Sequence, residues 1–198
     1  MDYINSFLRK TPTWPLYVLG AIYPAWLLWQ GVNGWLGVDP VKVMEHALGE
    51  RGLQLLILTL AITPLRRHLG LNLFKFRRAI GLLTFLYIFL HLLVWLVLDV
   101  QILAQIWADI LKRPYITIGM VGFVLMVPLA LTSNNLSVRR LGPRWRSLHK
   151  ATYAVAILGA VHFVMLAKGF QIEPLVYLGV ILGLLLMRLK PRRRMART

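Results

Sequence analysis

The sequence predicts an all-α membrane protein, a six-transmembrane-helix bundle with both termini cytoplasmic. Three observations predict it. Hydrophobic residues make up 58% of the 198 positions and charged residues only 15%, against roughly 45–50% and 25% in soluble domains. Six apolar segments without formal charge run along the chain, and the cations crowd into alternate connections between them. A 22.7 kDa particle with mean hydropathy +0.65 has too few polar residues to coat itself, so lipid must be part of its solvent.

The first segment, 14–30, follows Arg9 and Lys10 as the apolar part of a signal peptide would. No small-residue cleavage site follows Trp29, so it is read as a retained span. The second, 52–65, and the sixth, 174–187, have only 14 residues each, fewer than the roughly 17–20 that a hydrocarbon core takes. Glu50 and Arg51 flank one, Arg188 and Lys190 the other, and long charged side chains can reach from such ends to the headgroups. The third, 79–98, fourth, 115–131, and fifth, 151–167, are long enough outright. Pro24, Pro64 and Pro128 fall in or near spans and predict kinks, which bundles tolerate. In Gln101–Leu111, Ile102, Leu103, Ile106, Trp107 and Ile110 recur at helical spacing. That stretch is read as an amphipathic helix on the outer surface rather than as an extension of the third span.

Six spans gather both termini and the loops 66–78 and 132–150 on one side. That side holds 18 of the 23 Lys and Arg residues, including the basic tail 188–198, whereas six of the seven acids lie opposite. By the positive-inside bias the basic side is cytoplasmic. This distribution accounts for the net charge of +16 without nucleic acid. Cysteine is absent, which excludes disulfides, cysteine-ligated iron–sulfur clusters and a thioether-attached haem. The longest cytoplasmic loop, 132–150, is too short for a nucleotide-binding unit of roughly 30 residues or more.

The histidines carry the chemistry. His91 lies 13 residues beyond Arg78 on the third span and His162 lies 12 beyond Lys150 on the fifth, about 18–20 Å from their basic edges. Two imidazoles at one depth on facing helices suit the axial positions of a b-type haem. The plainer reading is two separate histidines, each bonded to a neighbouring hydroxyl. No carboxylate falls inside the apolar segments to complete a proton relay, and a closed zinc site needs about four ligands. His149 stands at the cytoplasmic mouth of the fifth span. His68 is read as a residue of a basic loop and His46 as a residue of an outer loop.

His149 and His162, with 12 residues between them, resemble the helix-five pair of the ferric reductase and NADPH oxidase transmembrane domains. Several stretches are similar, more closely, to the haem-binding membrane subunits of periplasmic methionine sulfoxide reductase systems, the MsrQ family. They are Gly37-Val38-Asp39-Pro40-Val41-Lys42, Ile62-Thr63-Pro64-Leu65, Arg77-Arg78-Ala79-Ile80-Gly81-Leu82, Leu90-His91-Leu92, Arg113-Pro114-Tyr115, Leu131-Thr132-Ser133 and the run Leu141-Gly142-Pro143-Arg144-Trp145-Arg146-Ser147-Leu148-His149.

The resemblance implies a single ferric-reductase-like transmembrane domain over 1–198 that serves as an inner-membrane electron-transfer subunit. It implies haem b, one or two, with His91 and His162 as axial ligands of haem iron and His149 as a candidate ligand of a second haem. It implies FMN, quinone or a cytoplasmic flavin reductase as donor, and a periplasmic molybdopterin methionine sulfoxide reductase as the catalytic partner that repairs oxidised methionine. The oxidases carry a further histidine 14 residues before the outer one, where this chain has Arg77. Arg77 and Arg78 are therefore candidate contacts for a haem propionate, flavin phosphate or quinone. The rival readings are a stand-alone haem reductase acting on ferric iron or oxygen, a histidine-relay proton channel or transporter, and a plain membrane anchor. An ideal helix would point His149 and His162 to different faces, so a break or bulge near His149 is expected.

Overall fold

The computed structural model describes residues 2–167 and 169–188. Ten α-helices run through them: α1 (Asp2–Lys10), α2 (Trp14–Val32), α3 (Pro40–Leu69), α4 (Arg77–Leu93), α5 (Leu103–Lys112), α6 (Pro114–Leu131), α7 (Asn135–Leu141), α8 (Pro143–Leu148), α9 (Ala151–Leu166) and α10 (Ile172–Leu186). A 3₁₀ turn, Phe74–Phe76, leads into α4, and a π-helix, Val94–Val100, leads out of it. Among the described residues four helical stretches are long and apolar enough to cross a membrane: Pro40–Leu69, Phe74–Val100, Pro114–Leu131 and Pro143–Leu166. The apolar α10 is shorter, at 15 residues.

The segment read as a short span at 52–65 is the second half of the 30-residue helix α3. The outer loop expected before it, with Lys42, His46 and Glu50, is helical. Charge marks where a helix leaves lipid, but capping marks where it ends. Here Asp39 accepts from the Lys42 N–H at 3.1 Å, Pro40 opens the first turn, and Gly70 closes the helix at φ 68°. The same extension puts His68 in the last turn of α3, not in a loop.

The amphipathic stretch is a separate helix, α5, set off from the π-helix by Gln101 at φ 62° and the extended Ile102. Ile102, Leu103, Trp107 and Leu111 are exposed along it. Helix α1 carried no sequence signal; Asn5 pins it, donating to Gly70 O and accepting from the Asn72 N–H, each at 2.9 Å. Arg78 bonds Asn135 at 2.8 Å. The termini of α1, α3, α4 and α7 thus gather at one end of the bundle, as the charge distribution required. At the other end Lys42 bridges Glu45 and Asp99. Lys168 and residues 189–198, and with them most of the basic tail, lie outside the described residues.

The core is built from α3, α6, α9 and α10, where Leu53, Leu60, Met126, Ala156, Ala160 and Ile181 meet. A second cluster, Leu27, Met44, Leu48 and Tyr87, joins α2, α3 and α4. α3 packs along α4 and α6 along α9. Ala156 and Ala160 are fully buried, and small residues let helices approach closely where lipid supplies no hydrophobic drive. Large apolar side chains such as Leu19, Ile22, Val124 and Val180 face outward, as a lipid-solvated surface requires.

Candidate functional site

The bundle brings His91 of α4 and His162 of α9 together. Their ring centroids are 6.3 Å apart and the ring planes are inclined at 79°. Each ring is fixed through Nδ1. His91 Nδ1 meets the Glu45 carbonyl at 2.8 Å, and His162 Nδ1 meets the Tyr115 carbonyl at 2.7 Å. A carbonyl only accepts, so both rings carry the proton on Nδ1 and leave the Nε2 lone pair free, the tautomer of a metal-binding imidazole.

The device is duplicated in sequence. Glu45 is followed four residues later by Gly49, and Tyr115 by Gly119. A Cβ at Gly49 would stand 3.0 Å from His91 Nδ1, and one at Gly119 would stand 2.8 Å from His162 Nδ1. On a helix, positions i and i+4 lie one above the other, so each carbonyl can reach its histidine only because the next turn has no side chain. Sequence reading singled out neither glycine. For Gly119 the signal was there, a glycine inside an apolar helical run with no turn to make; Gly49 lies among charged residues, where no such signal shows.

The spacing of the pair suits a bis-imidazole haem. Two imidazole nitrogens each about 2 Å from one metal place the ring centres about 6 Å apart; the observed spacing agrees. Among the described residues no group of three or more His, Cys, Asp or Glu could hold a bare metal ion. The residues fit a haem and do not fit zinc. One sequence expectation is corrected: a carboxylate-bearing residue does stand beside the pair, because α3 reaches back to Pro40 and brings Glu45 against His91. Its carboxylate is taken up by Lys42 at 3.0 Å.

His149 is engaged differently. Its Nε2 lies 3.0 Å from Thr132 Oγ1, and its ring stacks on Trp145 at 3.9 Å. Thr132 spends its one proton on Pro128 O at 2.6 Å, so its oxygen accepts from His149 Nε2–H. The break anticipated near His149 is present: 149–150 form a turn between α8 and α9, with Thr152 N bonded to His149 O and Tyr153 N to Lys150 O, the tighter i to i+3 pattern. The offset that an ideal helix would impose between His149 and His162 therefore does not carry across this turn. His46 and His68 are exposed.

Arg77 and Arg78, adjacent in sequence, part company. Arg78 is exposed and bound to Asn135. Arg77 lines a pocket of ≈ 310 Å³ with Arg67, Arg188 and Tyr153 and lies within electrostatic reach of His149.

Residues 48–160 match the family of ferric reductase like transmembrane components. A protein of Brucella anthropi named "Protein-methionine-sulfoxide reductase heme-binding subunit MsrQ" is 48% identical over 183 residues, 91% of this chain and 83% of that one. Proteins of the same name from Brucella ovis and Brucella canis are 47% identical over 188 residues, 91% of this chain and 86% of theirs. No solved structure matches the chain.

Proposed function

The chain belongs to the MsrQ family of haem-binding subunits of methionine sulfoxide reductase, and from that premise we propose that it carries electrons across the inner membrane through a haem b held between His91 and His162. The observation that carries the reading is the facing pair itself, with both Nδ1 atoms tied to backbone carbonyls and ring centres 6.3 Å apart. Haem b supplies a one-electron centre when bound. Each imidazole presents Nε2 along a fixed direction, and the carbonyl behind it raises its basicity. The pinning also argues against a proton relay, since a relaying ring must break its Nδ1 bond to turn.

The reading has six spans, namely α2, α3, α4 with its π-helix, α6, α9 and α10, with both termini cytoplasmic. Quinone or a cytoplasmic flavin donor delivers electrons at the basic end, and FMN belongs to that inlet. A periplasmic molybdopterin methionine sulfoxide reductase takes them at the other end and performs the sulfoxide chemistry. One haem is the simplest stoichiometry. His149 could ligate a second through Nε2 only by giving up its bond to Thr132. Arg77 is the contact for an anionic group on the inlet side.

A reduced-minus-oxidised spectrum with iron quantified per chain tests this. One b-type haem is expected, lost in His91→Ala and in His162→Ala and kept in His149→Ala. Wild-type haem content in the two outer variants refutes the ligand pair, and loss of all haem in His149→Ala would move the main site to the inner side.

A further inference from the structure

Pro64 has no N–H, so the Leu60 carbonyl one turn earlier has no helical partner. Arg188, just past the end of α10, supplies one: its Nη2 donates to Leu60 O and its Nη1 to the Tyr153 hydroxyl at 3.1 Å. Its Nε is buried without a partner among the described residues. This guanidinium is fixed on two sides, and its third donor is unspent. It forms one wall of the 310 Å³ pocket, with Arg67 from the last turn of α3 and Arg77 from the first residue of α4. Arg77 and Arg188 lie within electrostatic reach of each other. Ion pairs among the described residues are confined to Lys42 with Glu45 and Asp99, and to Arg113 with Asp109. None of those pairs involves Arg67, Arg77 or Arg188.

Three like charges converging from three helix ends on one cavity are unfavourable unless an anion sits among them. A carboxylate offers two oxygens and is satisfied by one guanidinium fork, whereas a phosphate offers three or four and accepts several. We propose that Arg67, Arg77 and Arg188 form a binding site for a phosphate group, carried by an anionic phospholipid headgroup or by a soluble phosphate ester. The proposal deepens the assignment of Arg77 to an anionic group and does not depend on which residues hold haem.

The test uses the full haem-loaded chain. Native mass spectrometry after release from phosphatidylglycerol nanodiscs reads lipid retention, and phosphorus NMR of the detergent-solubilised protein titrated with inorganic phosphate reads soluble binding. Phospholipid retained by the wild type and reduced tenfold or more in Arg77→Gln and Arg67→Gln assigns the site to lipid. Saturable phosphate binding lost in the same variants assigns it to a soluble ester. Absence of both, or binding undiminished in the variants, overturns the proposal. Arg67 is exposed, so Arg67→Gln carries the test even if Arg77→Gln does not fold. An unchanged haem spectrum in each variant separates failure here from failure of the haem reading.

Discussion

At the scale of the residue, two imidazoles and two glycines act as one device. Each histidine is held by a carbonyl at position i of a neighbouring helix, and the glycine at i+4 makes room for it. A methyl group at Gly119 would collide with His162 Nδ1 at 2.8 Å, and one at Gly49 with His91 Nδ1 at 3.0 Å. Neither ring can retreat without losing its hydrogen bond. Overpacking of this kind costs about 1–3 kcal/mol. Gly119→Ala is therefore expected to weaken haem retention roughly tenfold, and Gly49→Ala less. Haem-to-protein absorbance after dialysis against apomyoglobin reads both; wild-type retention in Gly119→Ala would show that the ring has slack the structure does not suggest. The histidines were legible as candidates because ionisable residues are rare in apolar segments. Their partners were not, because a backbone carbonyl leaves no mark in the sequence.

Helices as elements explain where reading by charge went astray. α3 runs through Lys42, Glu45, Glu50 and Arg51 without interruption, because its charged half is stabilised by side-chain pairing. Gln54 bonds Glu50 at 2.7 Å and the Tyr177 hydroxyl at 2.6 Å, while Arg51 bonds Gln54 at 2.7 Å. The helical hydrogen bond that Pro64 removes is replaced from outside, since Arg188 donates to the carbonyl of Leu60, a fully buried residue. Removing Arg188 strands that carbonyl, at a cost of about 1–3 kcal/mol. Arg188→Met should accordingly lower the midpoint of thermal haem loss in the wild-type background. In the Pro64→Ala background, where residue 64 regains an N–H for Leu60 O, the same change should be close to neutral. A double-mutant cycle with a coupling of about 1–2 kcal/mol is expected; strict additivity would mean that the Arg188–Leu60 bond contributes nothing.

For the whole molecule, the prediction concerns sidedness. The structure gathers α1, the start of α4 and the start of α7 at one end, and Lys42, Asp99 and α5 at the other. The absence of cysteine makes single-cysteine labelling clean. With the basic end cytoplasmic, exposed Lys112→Cys should react with an impermeant maleimide in intact cells, and Arg139→Cys only after permeabilisation. The reverse pattern would invert the bundle and place the electron outlet inside. Sequence alone determined that this chain is helical and belongs in lipid, which ends of its segments share a side, and which two histidines to pair. Those follow from local quantities, namely apolar length, charge per loop and depth along a helix. Only the tertiary structure decided the reach of α3, the carbonyls and glycines that orient His91 and His162, the engagement of His149 with Thr132, and the meeting of Arg67, Arg77 and Arg188 around one pocket. Each of these joins residues from different helices, and helix rotation and packing, which no single segment encodes, fix the distances between them.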